Sequence, residues 1–175
     1  EYCFNVEYIF DVTAEENARI STLKASSDQS AYAVAMLGCY LPLFTAANLQ
    51  SSALPAVIQP LLKRQVHEPL REQEIKNNTS ALTAIKQGTS QDVQAQYEEF
   101  PFPRWLFLMK NSVFPVQMQA LANRPLDILV AGCGTGKEAL ELAAAFPQSN
   151  VLAVDLSTAS LAYAHRKAEE YQFKN

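Results

Sequence analysis

At 175 residues the chain is long enough for one ordinary domain or two small ones. It is 49% hydrophobic and 18% charged, with only 5 Gly and 9 Pro, which excludes a disordered chain, a collagen-like repeat or a low-complexity tail. The balance of 14 Lys+Arg against 18 Asp+Glu gives a net charge of -4, which argues against a nucleic-acid partner, since such partners need a basic face.

Residues 2–10 are rich in aromatic and β-branched types and are expected to form a short strand. Thr13-Ala-Glu-Glu16 reads as a capping box opening a helix over 14–24. Ser30 is placed to cap a second, Ala-rich helix that Pro42 should kink or end. From Gln29 to Leu62 no residue is charged, which raises a membrane span; the run carries Gly38, Pro42, Thr45, Asn48 and Gln50 and reads instead as buried helix. A third helix is expected over 56–76, with Ile58, Leu62, Val66 and Leu70 as its apolar stripe and Pro69 bending or splitting it. Residues 77–90 are a polar connection, and a short segment at 91–97 leads into Tyr97-Glu-Glu-Phe-Pro-Phe-Pro-Arg-Trp105. Two X-Pro steps make that stretch an extended loop. A helix around Pro115 is expected over 106–122.

The pattern changes at Pro125. Ile128-Leu-Val-Ala131 is a short apolar strand, followed at once by Gly132-Cys-Gly-Thr-Gly136 and a helix from Lys137 to Phe146. Val151-Leu-Ala-Val154 is a second strand ending in Asp155, and Ser157 is placed to cap a last helix over 158–172. This is a βαβ unit whose continuous apolar strands suit a parallel sheet covered on both faces. A Gly-rich turn there lets backbone N–H groups approach a ligand, and an acid at the tip of the next strand can accept from a ribose diol. Asp155 lies nineteen residues past Gly136, a spacing that fits a nucleoside-binding unit. The glycines are spaced G-x-G-x-G and not G-x-G-x-x-G, and no Gly-Lys-Ser/Thr follows, which excludes a triphosphate P-loop. Cys133 between two glycines reads as a small filler, since no base is placed to activate it.

Ile128-Leu-Val-Ala-Gly-Cys-Gly-Thr-Gly136 and Val151-Leu-Ala-Val-Asp155-Leu-Ser resemble the first two motifs of class I S-adenosylmethionine-dependent methyltransferases. Gln96 to Trp105 and Ser157 to Ala168 are similar to a bacterial subgroup often attached to tetratricopeptide repeats. The resemblance covers roughly residues 35–175, and with the helices read above it gives an α/β fold in two parts. Residues 1–123 are a helical N-terminal region with the Tyr97–Trp105 connecting loop, and residues 124–175 are the first two parallel strands of a Rossmann-like methyltransferase sheet with their helices. It further implies that Ala131, Gly132, Cys133, Gly134, Thr135 and Gly136 wrap the methionine and ribose of S-adenosylmethionine, and that Asp155, with Leu156 beside it, holds the ribose hydroxyls. Tyr97, Arg104 and Trp105 are either a packing loop or a lid on the cofactor or substrate side. Many family members have an acid two positions before the first Gly; here that position is Val130.

The family sheet has seven strands, so the chain, which opens on Glu1 rather than Met, reads as a piece of a methyltransferase that is inactive alone and whose methyl acceptor is unknown. No catalytic residue and no metal ligand is assigned. Three scattered cysteines, Cys3, Cys39 and Cys133, and the lack of a secretory signal fit a cytoplasmic protein. The open strand edges predict self-association through 127–155, with neither membrane nor nucleic acid as a partner. Two other classes stay open: a nicotinamide- or flavin-binding Rossmann oxidoreductase fragment, and a non-catalytic protein-interaction module with a vestigial loop.

Overall fold

A computed structural model describes residues 2–26, 28–46, 54–79, 98, 101–109, 118, 120, 121 and 123–175. Compactness divides the chain into Glu1–Arg71 and Glu72–Asn175.

The first unit opens with a helical turn, α1 (Tyr2–Asn5), where the aromatic run predicted a strand. Glu7 and Tyr8 then take left-handed backbone, φ 58° and 55°, and the Tyr8 amide donates back to the Cys3 carbonyl at 2.9 Å. A strand needs a partner to take its backbone groups; this segment satisfies them locally instead. In α2 (Ala14–Ala25) the predicted capping box is present: the Glu16 amide donates to Thr13 Oγ1 at 3.2 Å, and the Thr13 amide donates to Glu16 Oε2 at 2.8 Å. Ser30 caps α3 (Ala31–Leu37) by accepting from the Ala33 amide at 3.2 Å.

That helix is capped at Gly38, and its last i→i−4 bond runs from the Leu41 amide to the Leu37 carbonyl at 3.0 Å. The next donor would be Pro42, which has no N–H for the Gly38 carbonyl, so Pro42 ends the bonding as expected and a side chain from further along the chain fills the gap. Gln65, fully buried, donates to the Gly38 carbonyl at 2.9 Å and accepts from the Leu43 amide at 3.4 Å, so it takes over groups left open at the helix end. The uncharged run therefore folds back on itself. Val34, Leu37, Leu43, Leu54, Ile58 and Leu62 make one core, and no helix among the described residues is long and apolar enough to cross a membrane.

The third expected helix is present as one continuous helical run with a defect. A 3-10 turn (Ala56–Ile58) leads into α4 (Gln59–Leu62), a π turn (Lys63–His67) and α5 (Glu68–Asn78). Pro69 has no N–H to give the Gln65 carbonyl, and its ring crowds that carbonyl in an ordinary α turn. The π turn, in which the Glu68 amide donates to Lys63 O, widens the helix just ahead of it. The extra residue rotates everything downstream. Ile58 and Leu62 are buried as the stripe predicts, but Leu70 turns outward and Gln65, Glu68, Glu72 and Ile75 turn in.

In the second unit, residues 106–109 are not helical; 110–117, 119 and 122, where the rest of the expected helix lies, are outside the described residues, as are 80–97. The βαβ unit is as the sequence predicts. β1 (Asp127–Ala131) and β2 (Asn150–Val154) pair in parallel, Ile128 opposite Val151 and Val130 opposite Ala153, with α6 (Lys137–Ala145) crossing between them and α7 (Thr158–Tyr171) following. The fold is thus a helical N-terminal region and a partial Rossmann-like sheet. The coverage differs from expectation: among the described residues only one face is packed, and Leu129 and Leu152 on the other are 64% and 62% exposed.

Candidate cofactor site

The Gly loop turns the chain from β1 into α6. Gly132, Gly134 and Gly136 all have positive φ, at 71°, 51° and 77°. A Cβ on Gly132 or Gly134 would meet nothing within 4 Å, so the loop is open to a ligand there. Gly136 is different: a Cβ on it would lie 2.4 Å from that of Ala164 on α7. Close helix packing, which the G-x-G-x-x-G pattern assigns to its third glycine, falls here to Gly136.

Most of the loop's amides are spent inside the protein. Gly132 and Cys133 both donate to the Val154 carbonyl, at 2.8 and 3.1 Å, which ties the loop to the end of β2. The Gly134 amide donates to Asp155 Oδ2 at 2.8 Å, and the Gly136 amide to the Cys133 carbonyl at 2.9 Å. Asp155 also accepts from the Ser157 amide on Oδ1 at 2.9 Å, and Ser157 caps α7 by accepting from the Ser160 amide at 3.0 Å. A carboxylate has about four lone-pair positions, so each oxygen of Asp155 retains acceptor capacity. Leu156 beside it is exposed, and Ala131 at the end of β1 is exposed as well. Cys133 is half-buried; burial, with the Asp155 carboxylate adding to it, pushes its thiol up to about 11, so it stays protonated and unreactive at neutral pH.

Trp105 is packed beneath the loop, and Arg104 beside it lies against Glu72 and Tyr163. Trp105 is buried against Tyr163, ring centroids 6.0 Å apart and edge-on, and stacks on Tyr171 at 6.2 Å. Its indole Nε1–H donates to the Thr135 carbonyl at 2.9 Å, while Thr135 Oγ1 donates to the Pro103 carbonyl at 2.8 Å. Arg104 Nη2 binds both oxygens of Glu72, at 2.9 and 3.0 Å, and Arg166 Nε reaches Oε1 of the same carboxylate at 2.8 Å. The two guanidinium groups lie over the Tyr163 ring, 4.7 and 4.9 Å from its centroid. Tyr97 lies outside the described residues.

Residues 128–175 match the family of methyltransferase domains. No curated protein and no solved structure matches the chain. The methyltransferase-domain match begins at β1 and so takes in the Gly loop, Asp155 and α7. It leaves out two carboxylates that the structure brings to the same place. One is Glu72. The other is Glu98, which accepts from the Thr158 amide and hydroxyl at the start of α7 and pairs with Lys76. Burial alone would raise the Glu98 carboxyl, but hydrogen bonds from Lys76 and Thr158 outweigh it and hold the group below the ordinary carboxylate range. Sequence reasoning missed both, and no local signal marks them: each is one acidic residue among several on a polar stretch.

Proposed function

We propose that the methyltransferase-domain segment is the cofactor side of an S-adenosylmethionine site. In this reading Ala131 to Gly136 run along the methionine and ribose, Asp155 accepts from the ribose diol, and Leu156 offers apolar surface to the base. The observation that carries it is the hydrogen bond from the Gly134 amide to Asp155 Oδ2, which joins the tip of β2 to the Gly loop and so brings the acid and the glycines together.

The same geometry disfavours a dinucleotide. Pyrophosphate binding relies on free backbone donors at the glycine turn. Here the amides of Gly132, Cys133, Gly134 and Gly136 donate within the protein, and Glu138 puts a negative charge in the first turn of α6. A nucleoside whose reactive group is a cationic sulfonium asks for neither phosphate donors nor a basic patch. Methyl transfer to an electron-rich acceptor is served chiefly by positioning and desolvation, so the assignment is to cofactor binding and names no acid or base. A cytoplasmic setting, and kinship with the repeat-associated bacterial subgroup through residues 96–105, belong to this reading.

The test is calorimetric titration of the chain with S-adenosylhomocysteine and, separately, with NAD. S-adenosylhomocysteine should bind, and Asp155→Ala should weaken it by about tenfold to a hundredfold, the loss expected for hydrogen bonds to a charged acceptor. Binding of NAD without S-adenosylhomocysteine would overturn the proposal.

A further inference from the structure

The matched segment begins at Ile128, yet the compact unit that contains it begins at Glu72. Three sets of contacts tie the upstream residues of that unit to the βαβ elements. Glu72 joins Arg104 to Arg166 of α7. Glu98 joins Lys76 to the first residue of α7. Between them Trp105 and Thr135 form a reciprocal clasp, each segment giving the other one hydrogen bond: indole N–H to loop carbonyl, loop hydroxyl to the Pro103 carbonyl. The Trp105 carbonyl in turn accepts from the Tyr163 hydroxyl, and the Leu106 carbonyl accepts from the buried ammonium of Lys167 at 3.1 Å.

The clasp sits at a decisive place in the loop. Thr135 lies between two glycines with positive φ, where the backbone has the most freedom and the least side chain to restrain it. With its carbonyl and its hydroxyl both engaged and its side chain buried, Thr135 has its rear fixed. The peptide planes on either side of it, at Gly134 and Gly136, are set with it. The Thr135 side chain and carbonyl therefore serve Trp105 and Pro103, and only its backbone amide is left to the ligand side of the loop.

We propose that Trp105, acting through Thr135, is a positioning residue for the Gly loop, so that the working cofactor module is Glu72–Asn175 and not the matched segment alone. The inference rests on the cofactor reading above for what the loop's shape is used for, but the clasp itself is testable without ligand. Trp105→Phe keeps a ring against Tyr163 and Tyr171 while removing the N–H donor and some indole bulk, a packing loss that exchange in α6 and α7 registers; Thr135→Val removes the other arm at nearly constant volume. The readouts are amide hydrogen exchange at Gly132–Gly136, compared with exchange in α6 and α7, and the affinity for S-adenosylhomocysteine. Each variant should speed loop exchange selectively and weaken binding about tenfold, the effect of one lost buried hydrogen bond. Loop exchange that is unchanged in both variants, or that rises only in step with α6 and α7, would overturn the clasp. Selective loosening of the loop in a chain that binds no S-adenosylhomocysteine would uphold the clasp and remove the cofactor reading instead.

Discussion

Gly136 is where the loop's residue choice is most constrained. Its φ of 77° already penalises any side chain, and a Cβ there would drive into Ala164. Gly136→Ala should therefore cost about 2–5 kcal/mol, strain and overpacking together. Gly132→Ala, with a similar φ and open space around it, should cost only about 1–3 kcal/mol. Urea unfolding of the two variants separates these terms, and a Gly136→Ala protein as stable as Gly132→Ala would refute the packing argument. The sequence shows the three glycines but not which one is wedged against α7, because Ala164 is far along the chain. Val130, the position where many methyltransferases carry an acid, is a half-buried strand residue opposite Ala153. It offers a ligand no charge.

Among the elements, those whose determinants are local were legible. The caps at Thr13, Ser30 and Ser157 each lie within three residues of the amide they bind, and the strand, loop, helix and strand of 127–154 follow one another directly. The failures are a segment without a pairing partner and a local defect whose effect on register a periodic pattern does not show. The 2–10 run has a strand-like composition and, among the described residues, no strand to pair with. The Leu70 stripe assumed an unbroken 3.6-residue period, and the π turn ahead of Pro69 shifted the register by one residue. Of the candidate site, Gly132–Gly136 and Asp155 were readable by spacing. The roles of Glu72 and Glu98, and the burial of Trp105 against the loop, depend on contacts across the fold. Glu98 gives this scale its prediction. Its carboxyl is held below the ordinary value of 4.5 in the folded state, so the unfolded chain binds that proton more readily. The stabilisation is complete above the ordinary value and is lost as pH falls through the lower, folded one. In thermal melts from about pH 7 down to about pH 3, wild type should exceed Glu98→Gln at the neutral end and converge with it at the acid end. A gap that widens on acidification would contradict the assignment.

For the whole molecule the open question is the bare side of the sheet. Among the described residues β1 and β2 pair only with each other, and two strands with free outer edges are marginal alone. Leu129 and Leu152 stand side by side in the register on the uncovered face. We infer that copies of the chain associate through 127–155; a net charge of -4 offers little repulsion against it. Size exclusion with light scattering should report a dimer or larger species, and Leu152→Lys should shift it toward monomer. A wild-type monomer would remove the inference.

Trp105 also has an optical consequence. It is the one tryptophan in the chain, and its indole nitrogen is bonded to the Gly loop. Emission excited in the indole band therefore arises from a single residue at the back of that loop, beside an ammonium and two tyrosines. The protein carries its own fluorescent label, placed where a change in loop geometry alters the polarity and quenching the indole experiences.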